Sequence, residues 1–401
     1  MPTTRLLTDT FNRFFESEKS GAILLVIATA ISVAFTNSVF GNDYLAFWQS
    51  EFLGLTIGHW INDGLMAIFF LMIGLELERE LYVGELSIVR NALLPTFAAF
   101  GGTLVPALIH YGFNAELPTQ AGIGIPMATD IAFALGALAL LGARIPPALK
   151  VFVVAFAVID DLIAIIMIAL FYTDNVALHY LAGSLAVFVG LLCLNRIFRI
   201  AFLPMYLLGG VLMWIFMLKS GVHATAAGVM LAFAIPFWSR SEQEPSPSHQ
   251  LENFLHKPVA FLVLPLFALA NTGIVFGTNW ALELTGPNSL GVILGLVIGK
   301  PLGVALVSAM AVTIGICTLP TDVRWRHLIG AGMLGGIGFT ISIFITNLAF
   351  GEQAELVNAS KIAVFTASLM AGVIGLIWLR FFCEHTENKE LAQIYSLTSR
   401  M

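Results

Sequence analysis

Apolar runs of about twenty residues recur along this chain. Each is long enough to cross the hydrocarbon core of a bilayer as a helix. Twelve candidates can be marked: 21–36, 55–76, 92–113, 121–142, 148–172, 176–194, 200–218, 221–238, 258–277, 289–313, 327–350 and 359–383. The runs are continuous, whereas barrel strands would alternate every second residue. With 58% hydrophobic and only 11% charged residues in 401, no water-soluble surface can be built. The expected fold class is all-α, a polytopic membrane protein with twelve transmembrane helices forming one integral membrane domain over 1–401.

The basic residues give the orientation. Sixteen of the nineteen Lys and Arg fall in the N-terminal segment, the even-numbered loops and the tail; two, Lys219 and Lys361, fall in odd loops, and Lys300 lies inside a span. Positive charge favours the cytoplasmic side, so both termini are expected there. The segment 1–20 carries acids as well as bases and reads as a surface helix with Phe11, Phe14 and Phe15. Residues 239–257 are expected to be a cytoplasmic loop with a polar, Pro-interrupted linker at its start. Residues 384–401 form the tail, and 37–54 is the longest outside loop. Nineteen basic against twenty-five acidic residues leave no face for nucleic acid. Cys193, Cys317 and Cys383 are isolated in apolar stretches, with no spacing for a disulfide framework or zinc.

Five ionisable residues lie well inside spans: Asp63, Asp130, Asp160, Asp161 and Lys300. Each such charge costs roughly 2.5–3.5 kcal/mol on insertion scales, so the set costs roughly 12–18 kcal/mol. That rivals the stability of a whole domain. The groups must therefore pair, face water or do work. Asp160 and Asp161 have at least nine apolar residues on either side, and Asp is too short to snorkel from there. Neighbouring helix positions point about 100° apart. One carboxylate is expected to pair with a cation while the other faces a water-filled path. Lys300 has nine apolar residues before it and Pro301 after it, which bends the helix. A Lys–Asp pair opened by another cation would release protons; a fixed structural salt bridge is the alternative. Asp63 suits an outer funnel as well as a transport role.

Gly122, Gly124 and Pro126 interrupt the fourth span just before Thr129 and Asp130, and Gly332, Gly335, Gly336 and Gly338 interrupt the eleventh. Broken backbone at membrane depth survives only where it lines a cavity or is buried in protein. Paired broken spans are the best sequence pointer to a transporter site; close helix packing is the other reading of any single glycine. Spans 3–5 and 10–12 would form inverted repeats. Asp130 is placed to neutralise half-helix N-termini and Lys300 to neutralise C-termini. Carboxylates beside a hydroxyl such as Thr129 suit a small hard cation, and the same carboxylates hold protons. Competition between the two is sufficient for exchange.

At these residues the chain resembles the NhaA family of Na+/H+ antiporters. The motifs FAVIDDLIAI, ATDIAFALGAL, IGKPLG, GLELERE, SGVHATAAG, LPLFALANTG and GGIGFTISIFI span nearly the whole chain. The resemblance implies interrupted helices 4 and 11 crossing near mid-membrane. It implies that Asp161 is the main cation ligand, with Asp160, paired with Lys300, in the same cation and proton site, supported by Asp130 and Thr129. It implies electrogenic extrusion of Na+ or Li+ for incoming protons, a homodimer of the bacterial inner membrane, and dimer contacts through the 37–54 hairpin. Activation at alkaline pH would involve Glu76, Glu78, Arg79, Glu80, Glu252 and His256, whose bland reading is a solvated helix end. Glu78 stands where a basic residue would also fit the family pattern, and Asn253 where a histidine can occur. His223 reads as a capping residue before a proton carrier. No cofactor is expected. No GxxxxGK[ST] loop for an ATP-driven pump is present. The rivals are a proton-coupled carrier of an organic substrate, which a missing central Arg or aromatic cluster disfavours, and an intramembrane aspartyl protease, which leaves Lys300 unexplained.

Overall fold

The computed structural model describes residues 20–173, 176–239, 245–320, 322–351 and 353–382. The expected surface helix before residue 20 and the tail from 384 lie outside the described residues. Helix α1 (Ser20–Thr36) turns by 114° into α2 (Gly41–Gln49). A two-residue antiparallel ladder, β1 (Glu51–Phe52) with β2 (Leu55–Thr56), completes the predicted 37–54 loop as a folded hairpin. Then follow α3 (Ile57–Tyr82) and α4 (Val89–Asn114). The fourth segment is split into a 3-10 turn run, α5 (Pro118–Met127), and α6 (Ile131–Leu141). Next come α7 (Pro147–Phe171), α8 (Leu178–Arg196), α9 (Leu203–Ser220) and the short α10 (Ala226–Ala234). The C-terminal part holds α11 (Pro247–Asn271), α12 (Pro287–Thr313), the broken pair α13 (Trp325–Gly335) and α14 (Phe339–Phe350), and α15 (Ala354–Phe382).

Among the described residues nine helices are long and apolar enough to cross a membrane, and two bent pairs raise this to as many as eleven. Each of the twelve predicted segments coincides with helix, but the eighth, 221–238, has only the nine residues of α10. Gly221 at φ +81° ends the preceding helix, and Ile235 turns extended just before Pro236, which stops α10 at its C-terminal end.

The ninth segment departs from expectation in the other direction. The predicted loop 239–257 is helical from Pro247, because Ser246 caps the His249 N–H and Pro247 fits the first turn. Only its start is irregular, and 240–244 lie outside the described residues.

The order long, broken, long occurs in α4 to α7 and again in α12 to α15, matching the predicted repeat in element order. Helices α4 and α12 pack backbone to backbone. A Cβ built on Gly101 falls on the Gly303 carbonyl oxygen and lies 2.7 Å from the Val307 Cβ. Small residues permit such contact where lipid supplies no hydrophobic drive. Gly101→Ala is therefore expected to cost about 1–3 kcal/mol by overpacking. Gly112→Ala on the same helix, where a Cβ meets nothing within 4 Å, should not lower the unfolding midpoint in detergent. Apolar side chains such as Leu208, Val211, Ile374 and Ile377 stay exposed on the outside of the bundle. In water they would aggregate; in a bilayer they meet acyl chains.

Candidate functional site

The two broken segments meet at their breaks. Residues 128–130 and 336–338 leave the helical path, the second with a 46° bend. Pro126 withholds a backbone donor from the first. Gly338 is needed in the second, since a Cβ there would lie 2.9 Å from the Ala128 carbonyl oxygen. The Asp130 N–H donates to the Ile337 carbonyl at 2.6 Å, and the Thr129 hydroxyl donates to the Gly335 carbonyl at 2.8 Å. Ser342 adds a third tie to the Ile125 carbonyl at 2.6 Å.

Broken helices leave unpaired N–H groups at one end and carbonyls at the other. Asp130 serves two N-termini at once. It accepts from the Phe133 N–H of α6 at 3.3 Å, and from the Thr340 N–H and hydroxyl of α14 at 3.1 and 2.6 Å. Lys300 serves the opposite pole, donating to the Met127 carbonyl at the end of α5. Carboxylate at N-termini and ammonium at a C-terminus is the arrangement that the helix dipoles favour. Asp130 thus meets both N-termini, and Lys300 meets one of the two C-terminal ends.

Lys300 also donates to both oxygens of Asp160, at 3.0 and 2.8 Å, with both side chains wholly buried. A π-helical turn at Gly295–Gly299 and Pro301 flank the lysine. Such turns are frequent at functional sites. Its ammonium lies 5.9 Å from the centre of the Phe156 ring.

Asp161, one residue on, points elsewhere. It is 1% exposed, and neither of its oxygens has a hydrogen-bond partner. Buried polar groups in native proteins are almost always paired, so this carboxylate calls for a specific explanation. The three predicted cation ligands are therefore not gathered into one open shell. Asp160 is held by Lys300 and the Thr129 hydroxyl by Gly335, and only Asp161 offers free oxygens.

The glutamates of the third helix are buried, against the reading of a solvated helix end. Glu76, Glu78 and Glu80 are each under 9% exposed. Arg79 gathers the surrounding carboxylates: Glu80 at 2.7 Å, Glu252 at 2.8 Å and Glu76 at 3.8 Å. Two partners escaped the sequence reading. Ser248 donates to Glu78 at 2.8 Å, and His249 lies 3.5 Å from Glu252. Both sit in the stretch taken for a loop; the Ser-Pro before a helical run was the available signal. A cleft joins this cluster to the breaks. Glu76, Glu252 and His256 line one part of it, and Asp130, Ile131, Ala132 and Thr340 another.

Two predicted candidates lie elsewhere. Asp63 pairs with His59 at 2.8 Å and is partly exposed. The His223 Nε2 bonds the Tyr172 carbonyl, which suits a fixed cap.

The family model for Na+/H+ antiporter 1 matches residues 12–379. A Na+/H+ antiporter NhaA of Dechloromonas aromatica (strain RCB) is 63% identical over 380 residues, covering 95% of this chain and 98% of that protein. NhaA 1 of Flavobacterium johnsoniae is 55% identical over 382 residues, covering 95% and 99%. NhaA of Helicobacter acinonychis (strain Sheeba) is 42% identical over 424 aligned residues, covering 94% and 96%. With both broken helices, the buried Asp–Lys pair and matches running nearly end to end, this chain belongs to the Na+/H+ antiporter 1 family.

Proposed function

We propose that the chain extrudes Na+ or Li+ from the cytoplasm in exchange for a larger number of incoming protons, with Asp161 as the ligand that meets the cation. The observation that carries this is the buried, unpartnered Asp161 carboxylate beside a closed Asp160–Lys300 pair on interrupted backbone. A cation entering by the cleft binds Asp161 and displaces its proton. Its charge weakens the hold of Lys300 on Asp160, and a second proton leaves. The broken segments then shift, the site faces outward, and protons replace the cation. More protons than cations cross per cycle, so transport is electrogenic and draws on the proton gradient without a cofactor.

The setting is the bacterial inner membrane, with twelve spans, both termini cytoplasmic and a homodimer joined through the 37–54 hairpin. The Arg79 cluster adjusts activity toward alkaline pH, because it lines the cleft that leads to Asp130. Glu252 holds Arg79 at 2.8 Å and lies 3.5 Å from His249, so its charge ties the two elements together.

The test uses purified protein in liposomes with an internal pH dye. Na+ and Li+, but not K+, should drive proton movement, and the rate should rise from neutral to alkaline pH. Glu252→Gln should displace that profile along the pH axis. Proton movement absent with every cation at every pH would sink the proposal.

A further inference from the structure

The cleft from the Arg79 cluster reaches the breaks at Asp130 and Thr340. Beyond them, α3, α11 and α14 close together in two layers. The first is aromatic: the Phe344 ring centre lies 5.8 Å from that of Phe70 and 6.4 Å from that of Phe267, and all three rings are buried. These are favourable aromatic separations. The second layer is made of amides. Asn347 donates to the Asn271 oxygen at 2.6 Å, and Asn271 donates to the Asn62 oxygen at 2.8 Å.

The sequence spacing stacks the layers in one order on all three helices. On α11 and α14 the asparagine follows its phenylalanine by four and three residues, and those helices run outward. On α3, which runs inward, Asn62 precedes Phe70 by eight residues. The aromatic layer is thus nearer the breaks and the amide layer nearer the outside. A second amide tie lies beside it. Asn358 of α15 accepts from the Val275 N–H at 2.9 Å and donates to the Val275 carbonyl at 3.0 Å. Asn37, just past α1, holds the same segment through Ile274 and Phe276, at 2.7 and 2.9 Å.

Asn347 and Asn358 belong to the broken-helix bundle that carries the site. Their partners belong to the neighbouring group of α1, α3 and α11. We propose that Asn62, Asn271, Asn347 and Asn358 form the outer gate of the exchanger, a latch of uncharged amides over an aromatic plug that releases whenever the site opens outward. This rests on the alternating-access reading above. Amides suit a latch that must open in every cycle. Each bond is strong when made and modest in net worth, because water replaces it on opening. A charged pair would offer an escaping cation a competing site.

Two measurements test the latch. The first is accessibility. In a chain with its native cysteines replaced by serine, Thr346→Cys puts a wholly buried reporter beside Asn347. Its reaction with a membrane-impermeant maleimide from outside should quicken roughly 10-fold or more when Asn347→Ala and Asn358→Ala are added, since lost latch bonds favour the open state. An unchanged or slower reaction overturns the proposal. This readout needs no transport, so it stands even if the cation or its ligand is wrongly assigned. The second is restraint. Asn271→Cys with Asn347→Cys, bridged by a short bis-thiosulfonate reagent, should stop Na+-driven proton movement, and a reductant should restore it. Full exchange with the bridge formed overturns the latch.

Discussion

Asp161→Asn abolishes Na+-driven proton movement in proteoliposomes while leaving the protein as stable as the parent, or more so. The two effects separate because of where the side chain stands. Its oxygens make no hydrogen bond, so the substitution breaks nothing in the resting structure. It exchanges a buried charge for a neutral amide of the same shape, which lowers the cost of burial where the carboxylate is ionised. The same change removes the negative charge that a cation needs and the acid that a proton needs. The check is a pair of measurements on one preparation, the dye response to Na+ and the unfolding midpoint in detergent. Loss of transport with a large drop in midpoint would mean that Asp161 is structural. Transport retained would move the cation site elsewhere.

The second large effect has the opposite signature. Lys300→Ala is expected to lower stability by about 3–5 kcal/mol, because a buried ion pair that loses one member leaves the other charge uncompensated. Here the stranded group is Asp160, and the Met127 carbonyl loses its donor as well. Asp160→Asn in the parent strands Lys300 and should also destabilise. The double variant Asp160→Asn with Lys300→Ala should recover most of the loss, since with both charges gone neither is left uncompensated. The four proteins form a cycle that isolates the pair's coupling energy. Thermal unfolding of each supplies the numbers. Strict additivity of the two single losses would show that the contact carries no coupling.

The sequence made this much legible because a bilayer leaves few ways to break its rules. Asp130, Asp160, Asp161 and Lys300 each stand against a strong energetic prior, and so do glycine and proline clusters within a span. All of them lie at the meeting point of the broken helices, and the two dipole-neutralising roles followed from charge alone. That Lys300 meets Asp160 rather than Asp161 came from resemblance, since spacing places two carboxylates on different faces without saying which face looks where. Short helices and helix starts were less legible. Residues 221–238 are apolar but for His223 and Thr225, yet α10 holds only nine of them, between the helix-ending Gly221 and the extended Ile235. Polar residues hid the start of α11, where a Ser-Pro cap outweighs composition. The asparagine latch left no mark at all. An uncharged amide in an apolar run carries little penalty if it finds a partner, and its partners lie on other helices.

The separation between Asp160 and Lys300 also bears on how the protein is made. The two are 140 positions apart in the chain. At a synthesis rate of about 5–20 residues per second, roughly 7–28 s pass between their translation. Throughout that interval the segment with two adjacent aspartates lacks Lys300, the ammonium that Asp160 meets in the fold. Its entry into the bilayer must be driven by its own side chains, against roughly 5–7 kcal/mol for the pair of acids. Helix α7 is the most apolar of the nine long helices, which is what a segment inserted ahead of its counter-ion requires. Substitutions that thin its Ile, Val and Leu content would then fail at the translocon, before any question of transport arises.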